Sequence, residues 1–282
     1  MRLGLSEIST VGASFADDVA AYAAAGLDAI GIWEFKLPDD DDANVALLGD
    51  AGLAVANCVP AVPSVLQLGI PGMEGPADPD ERIEALSASM RRLALYEPES
   101  VLFLSGPLGG RTTSDARAIV VEGVRRVAAA AREGGVRVGF EPAHPSQREE
   151  TAFVNTLADA DGLLVEAGVD DVGILFDTYH VWDDPDVLEW VSANAGRVSG
   201  VHVGDWPALD RTDRVLPGEG ISRTRELVDA LRSAGWDGTL DVEIFSTPDA
   251  FWGLPVDEAA RRARAAAAAL AEGRQAVPQT LP

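Results

Sequence analysis

The chain has 282 residues, 47% of them hydrophobic, a single cysteine and a formal net charge of −24. That length accommodates two average domains or one large α/β barrel with a substantial core, and the charge disfavours nucleic acid and anionic membrane as partners. Cys58 cannot close an internal disulfide. With no signal-like segment and no apolar run long enough to span a bilayer, a cytoplasmic protein is expected.

Residues 1–8 read as a first strand, followed by an alanine-rich helix over 15–25. A second strand, 27–33, closes on Trp33-Glu34-Phe35-Lys36. Aspartates 39–42 suit the start of a helix that runs to Ala51, with Gly52 as its stop. After a third strand, 53–59, comes a Pro/Gly-rich segment from Pro60 to Pro79, too long for an ordinary connection and hence a candidate lid or substrate loop. It is also where a second copy or a small partner subunit would complete a site. Ile83, Leu86, Met90 and Leu93 carry the helical period of the next segment, 80–96.

Strand four is 100–105. The glycine-rich turn after it, 106–111, lacks the Gly-Lys-Ser/Thr ending of a phosphate-binding loop. A helix over 113–133 leads to strands at 136–141, 172–177, 198–203 and 239–244, alternating with helices near 155–167, 187–194, 222–234 and 257–271. Eight strands alternating with eight helices predict a single-domain (β/α)8 TIM barrel over residues 1–272, with a flexible tail over 273–282. An open doubly wound sheet is disfavoured because the first turn, Ser6-Glu7-Ile8-Ser9-Thr10, has no nucleotide-binding glycines.

Four strands of the back half end on a polar side chain: Glu141, Asp177, His202 and Glu243. An acid at a strand end often only caps the next helix, but the repetition over four consecutive strands disfavours that reading. At a barrel mouth these groups make a hard, mostly oxygen site for a divalent cation, Mn²⁺ first, with Mg²⁺ or Co²⁺ as alternatives.

The order of these strand ends, with Asp177-Thr-Tyr-His180 after strand six and Arg214-Val-Leu-Pro-Gly-Glu-Gly220 after strand seven, resembles the xylose-isomerase-like barrel superfamily, in its sugar phosphate isomerase/epimerase branch. The resemblance implies that Glu141, Asp177, His202 and Glu243 bind the metal, and that His180 and Arg214 contact oxygens of a carbohydrate substrate. Glu141 and Glu243, on opposite sides of a keto sugar, would remove and return a proton through an enediolate.

Ketohexose 3-epimerases tend to follow the first metal glutamate with Asn-Arg-x-Glu, whereas Pro142-Ala-His144-Pro-Ser-Gln147 stands here. That departure, with Tyr179-His-Val-Trp182 and His202-Val-Gly-Asp-Trp206, looks closer to barrels acting on keto-glycosides, including C-glycoside deglycosidases. A lyase eliminating from the same enolate, with His144 as its base, therefore stands beside isomerisation. His144 also reads as a structural or capping histidine.

Trp33, Trp182, Trp206 and Trp252 (with Phe251) suit the apolar faces of a sugar ring, or simple packing. Lys36, the only lysine, reads as a ligand for a substrate oxygen or as a solvated loop residue, and Arg214 as a site residue or the partner of Asp210 or Asp213. A DNA-repair endonuclease on the same barrel would need many histidines and a basic face, against the three histidines present. A metal-free binding protein would tolerate loss of all four strand-end groups.

Overall fold

Each apolar run becomes a strand buried on both faces, and the eight strands close in sequence order into one parallel barrel. The structure, a computed structural model, describes residues 1–273, so nearly all of the expected tail lies outside the described residues. The strands are β1 (Arg2–Ser6), β2 (Ala29–Trp33), β3 (Ala54–Val59), β4 (Ser100–Leu104), β5 (Val138–Glu141), β6 (Val172–Asp177), β7 (Val198–Val203) and β8 (Thr239–Val242). Helices α1 (Phe15–Ala25), α2 (Asp41–Ala51), α3 (Pro79–Leu93), α4 (Thr113–Gly134), α5 (Leu157–Ala167), α7 (Val187–Asn194), α8 (Thr224–Ser233) and α9 (Val256–Ala271) follow the expected alternation. One further turn of helix, α6 (Thr178–Val181), has no counterpart in that pattern; Asp177 caps it by accepting from Tyr179 N–H at 2.8 Å.

The main core lies between barrel and helices. A smaller cluster, Ile8, Trp33, Val59, Leu102, Leu104, Ala143, Ala152 and Leu175, fills the carboxyl end of the barrel. Register decides what stands next to what at that end. Asp177 pairs with His202 across β6 and β7, and His202 with Asp241 across β7 and β8. Glu243 lies one residue past β8, a step higher. Among the described residues no helix is long and apolar enough to cross a membrane.

The 60–79 segment is partly built into the core. Val65 and Leu66 are fully buried, and their N–H groups donate to Leu104 and Ser105 carbonyls, extending the edge of β4. At Gly106 the backbone takes φ 76°, and a Cβ there would stand 2.2 Å from the Leu66 carbonyl oxygen, so only glycine admits the crossing. Arg82, fully buried on α3, holds the rest: it donates to Ser64 O at 2.9 Å, Ser64 Oγ at 2.7 Å, Glu74 O at 2.5 Å and Pro76 O at 2.9 Å. The candidate lid is therefore partly structural: deleting the whole segment would remove Val65 and Leu66 from the core and Met73 from its packing against the carboxyl-end cluster.

Arg82→Leu leaves several buried acceptors unpaired, each costing ~1–3 kcal/mol. The expected outcome is a lower urea midpoint together with faster proteolytic nicking between residues 69 and 76; an unchanged digestion pattern counts against this role for Arg82.

Candidate metal centre and active site

Glu141, Asp177 and His202 each offer a ligand atom within 4.8 Å of the other two, and all three are buried. Glu243 belongs to the same end of the barrel: its Oε2 lies 3.4 Å from His202 Nδ1, which is also 3.8 Å from Glu141 Oε1. Glu243 is drawn instead to Arg214, whose Nη1 stands 3.0 Å from Glu243 Oε2 and 2.7 Å from Asp177 Oδ2. Three buried atoms of the group, Glu141 Oε1 and both ring nitrogens of His202, have no hydrogen-bond partner. Buried polar atoms are normally satisfied, and a divalent cation between two carboxylates and an imidazole would satisfy Glu141 Oε1 and one of the two ring nitrogens. The residues fit a divalent metal.

Arg214 reaches the mouth because the segment following β7 folds over Asp205. That carboxylate accepts backbone N–H groups from Trp206, Gly218, Gly220 and Ser222, closing the Pro217–Gly220 turn. Arg214 N–H then donates to Phe245 O at 2.7 Å, and its guanidinium lies 4.2 Å over the Tyr179 ring. The ion pair with Asp210 or Asp213 does not form: Asp213 is taken by Arg211.

Above the acids opens a cavity of about 220 Å³. Its polar side is Glu141, His180, Arg214 and Glu243, with Gln147, Glu150, Thr151 and Thr212; its apolar side includes Trp33, Leu68, Ile70, Met73 and Phe245. Of the tryptophans named from sequence, Trp33 lines this cavity and the other three do not. Trp206 stacks on Tyr179 at 4.8 Å and donates to Tyr179 O, Trp182 packs beside Trp206, and Trp252 donates to Ile244 O.

Lys36 is also absent from the cavity. Its side chain turns inward to Asp18, to Glu7 (3.8 Å) and to the carbonyls of Glu7 and Thr10, so neither substrate contact nor solvation describes it. His144 faces away as well: Nδ1 meets Ser146 Oγ at 2.8 Å, Nε2 meets Asp183 at 3.1 Å, and its backbone N–H donates to His180 Nδ1 at 3.1 Å.

That last bond sets the state of His180. With Nδ1 accepting, the neutral ring carries its proton on Nε2, and the 3.4 Å approach of Arg214 Nη2 is a contact between two donors. Burial, reinforced by Arg214, pushes the His180 imidazole down to about 3, so it is a neutral donor rather than a base.

Two residues were missed from sequence. Ser6 links Trp33 Nε1 (2.9 Å) to Glu243 Oε1 (3.5 Å). Asp241 stands fully buried beneath His202, its Oδ2 3.6 Å from His202 Nε2. Inward alternation along Thr239-x-Asp241-x-Glu243 was the available signal.

The match to the family model described as xylose isomerase-like TIM barrel covers residues 19–272, and the chain belongs to that family. A 244-residue alignment to L-ribulose 3-epimerase of Mesorhizobium japonicum is 25% identical and covers 79% of this chain and 73% of that one. Inosose isomerase of Halalkalibacterium halodurans is 27% identical over 141 residues, and the match spans about half the length of each, 48%. Among solved structures, protein SMc04130 of Sinorhizobium meliloti 1021 superposes with a TM-score of 0.81 at 26% identity, covering 93% of this chain and 95% of that one.

Charge in the mouth makes stability depend on pH. Burial pushes the Glu141 carboxyl up to about 7 despite the neighbouring His202. The same cause lifts Glu7, near Lys36, to about 8. His202 also moves up: burial opposes its charge, but Glu243, Asp241 and Glu141 together outweigh it. Asp177 goes the other way, since Arg214 and its other positive neighbours overcome burial.

Unfolded, these glutamates and His202 lose their protons near 4.5 and 6.5. The folded, metal-free protein therefore holds extra protons on Glu141 and Glu7 from about pH 4.5 and on His202 from about 6.5, and the stability they contribute is lost as pH rises through about 7 and 8. His180 acts in the opposite sense, but only below about pH 6.5. Urea midpoints of chelator-treated protein are expected to drop between about pH 6.5 and 8.5 and to recover on adding a divalent cation. A flat or rising midpoint would contradict the assignment of buried, protonated carboxyls.

Proposed function

We propose that the chain is a divalent-metal-dependent isomerase or epimerase that shifts a proton beside the carbonyl of a keto sugar or keto-glycoside. The observation that carries this reading is that Glu141, Glu243, His180 and Arg214 face one cavity at the group Glu141–Asp177–His202. The sugar-processing names of the two curated relatives support it. Mn²⁺ suits the mixed oxygen and imidazole donors, with Mg²⁺ or Co²⁺ as alternatives. A divalent ion held by Glu141, Asp177 and His202, with Glu243 beside them, supplies Lewis-acid stabilisation of the charge that develops on the substrate oxygens.

The side chains divide the remaining work. Glu243, fixed by Arg214 and Ser6, takes the proton from the carbon next to the carbonyl; the C–H electron pair moves into the new C=C and the carbonyl pair onto oxygen. His180 Nε2–H and the Arg214 guanidinium donate to that oxygen. In an isomerase Glu243 returns its proton to the former carbonyl carbon, while the hydroxyl proton on the carbon that lost hydrogen passes to the former carbonyl oxygen. In an epimerase protonated Glu141, on the opposite face, delivers the proton and Glu243 keeps the one it took. The elimination alternative gains nothing from His144, whose ring nitrogens are engaged by Ser146 and Asp183.

The substrate in this reading is uncharged. Arg214 is the only cation among the cavity-lining residues, and it is already shared between two carboxylates. Glu150 adds a negative charge to the lining, unfavourable for a phosphate.

Wild-type protein is expected to incorporate solvent deuterium into a keto sugar, and chelation to abolish this without changing far-ultraviolet circular dichroism. Glu243→Gln is expected to retain metal while losing ~10²–10⁴-fold in exchange rate. Exchange that survives chelation would sink the metal-dependent mechanism. For the substrate's charge, free ketoses are expected to exchange faster than their phosphate esters at equal concentration; the reverse order would show that a phosphate is recognised.

A further inference from the structure

The interior of the barrel directly below the acids is polar, and the strands are shaped to hold it. Asp241 and Asn57 project inward from β8 and β3, both buried, and Asn57 Nδ2 donates to Asp241 Oδ2 at 3.2 Å and to Val201 O at 3.3 Å. The neighbouring strands carry glycine where these side chains cross. A Cβ at Gly31 would come within 2.3 Å of Asp241 Oδ2, and one at Gly200 within 1.9 Å of Asn57 Oδ1. Such clearance on β2 and β7 means that the barrel is built around this carboxylate and amide, where layers of branched apolar side chains are the usual filling.

Asp241 is also the strand-pairing partner of His202. Its Oδ2 faces Nε2 at 3.6 Å, while Nδ1 on the other side of the ring faces Glu141 and Glu243. An imidazole can give a lone pair to a cation from one nitrogen only if its proton sits on the other, and an acceptor behind the ring fixes both tautomer and orientation.

We infer that Asp241 is the positioning residue for His202: it accepts the Nε2–H and so presents Nδ1 to the ion, with Asn57 holding the carboxylate in place. The inference rests on the metal reading given above and adds a role to a residue outside the ligand set. Asp241 touches neither substrate nor ion; it acts through the ring.

The test uses Mn²⁺ as probe, titrated into chelator-stripped wild type and Asp241→Asn in competition with a chromogenic chelator. The near-isosteric amide is expected to bind Mn²⁺ about 10–100-fold more weakly. Gly31→Ala, which displaces the carboxylate without removing it, is expected to weaken binding in the same direction. In protein loaded with diamagnetic Zn²⁺, ¹⁵N-edited spectra should show a slowly exchanging proton on His202 Nε2 in the wild type and fast exchange in Asp241→Asn. A merely structural aspartate would lower the thermal midpoint but leave the affinity of the folded protein and the Nε2–H exchange unchanged. That result overturns the inference while leaving the metal reading intact. Wild type that binds no Mn²⁺ overturns both.

Discussion

Four carboxylates, those of Glu141, Asp177, Asp241 and Glu243, are buried within one end of one barrel, with Arg214 and His202 as their positive neighbours. Removing a carboxylate from water costs several kcal/mol unless it is paired, protonated or ligated to a cation. This imbalance dominates the architecture. It accounts for the upward displacement of Glu141 and Glu243, the retention of charge by Asp177 beside Arg214, and the orphaned atoms on Glu141 and His202. The backbone places the arginine counter-charge: Asp205 gathers the loop that carries Arg214 inward.

Around that charge the barrel supplies two different walls. The β5–β8 side is ionic, while Trp33, Val59, Leu102 and Leu104 with the 60–79 segment make the opposite side apolar. A molecule bearing oxygens along one edge and carbon–hydrogen surface on the other is oriented by this asymmetry before any specific hydrogen bond forms. Sugars have that character. The His180 ring stands at the boundary, its Nδ1 accepting the peptide N–H of His144, so His144 meets this wall through its backbone.

The fold was legible because each strand is a short apolar run closed by glycine, proline or a charge, and because helices alternate with strands throughout. The strand-end residues were legible for the same reason: a charge ending an apolar run has nowhere to go but the mouth. Asp241 was hidden because it sits inside such a run, and only the register that sets it beside His202 distinguishes an acid backing the imidazole from a breach in the core. Aromatics were the least legible. Composition cannot tell Trp33, which faces the cavity, from Trp206, which spends its ring on Tyr179 and its N–H on a carbonyl. The length of the 60–79 segment marked it as unusual, but that Val65 and Leu66 belong to the core depends on pairing with β4, a contact remote in sequence.

The inward-turned Lys36 has a practical corollary. It is the only lysine in the chain, so the folded surface draws its positive side-chain charge from arginine and offers reagents that seek lysine ammonium groups no exposed target. Its ammonium group is tied to Asp18 and to the carbonyls of Glu7 and Thr10, at the corner where β1 hands over to α1. Any acylation at that nitrogen therefore reports the opening of this corner. A single natural side chain thus serves as a clock for local unfolding at this corner, readable by mass spectrometry without any engineered probe.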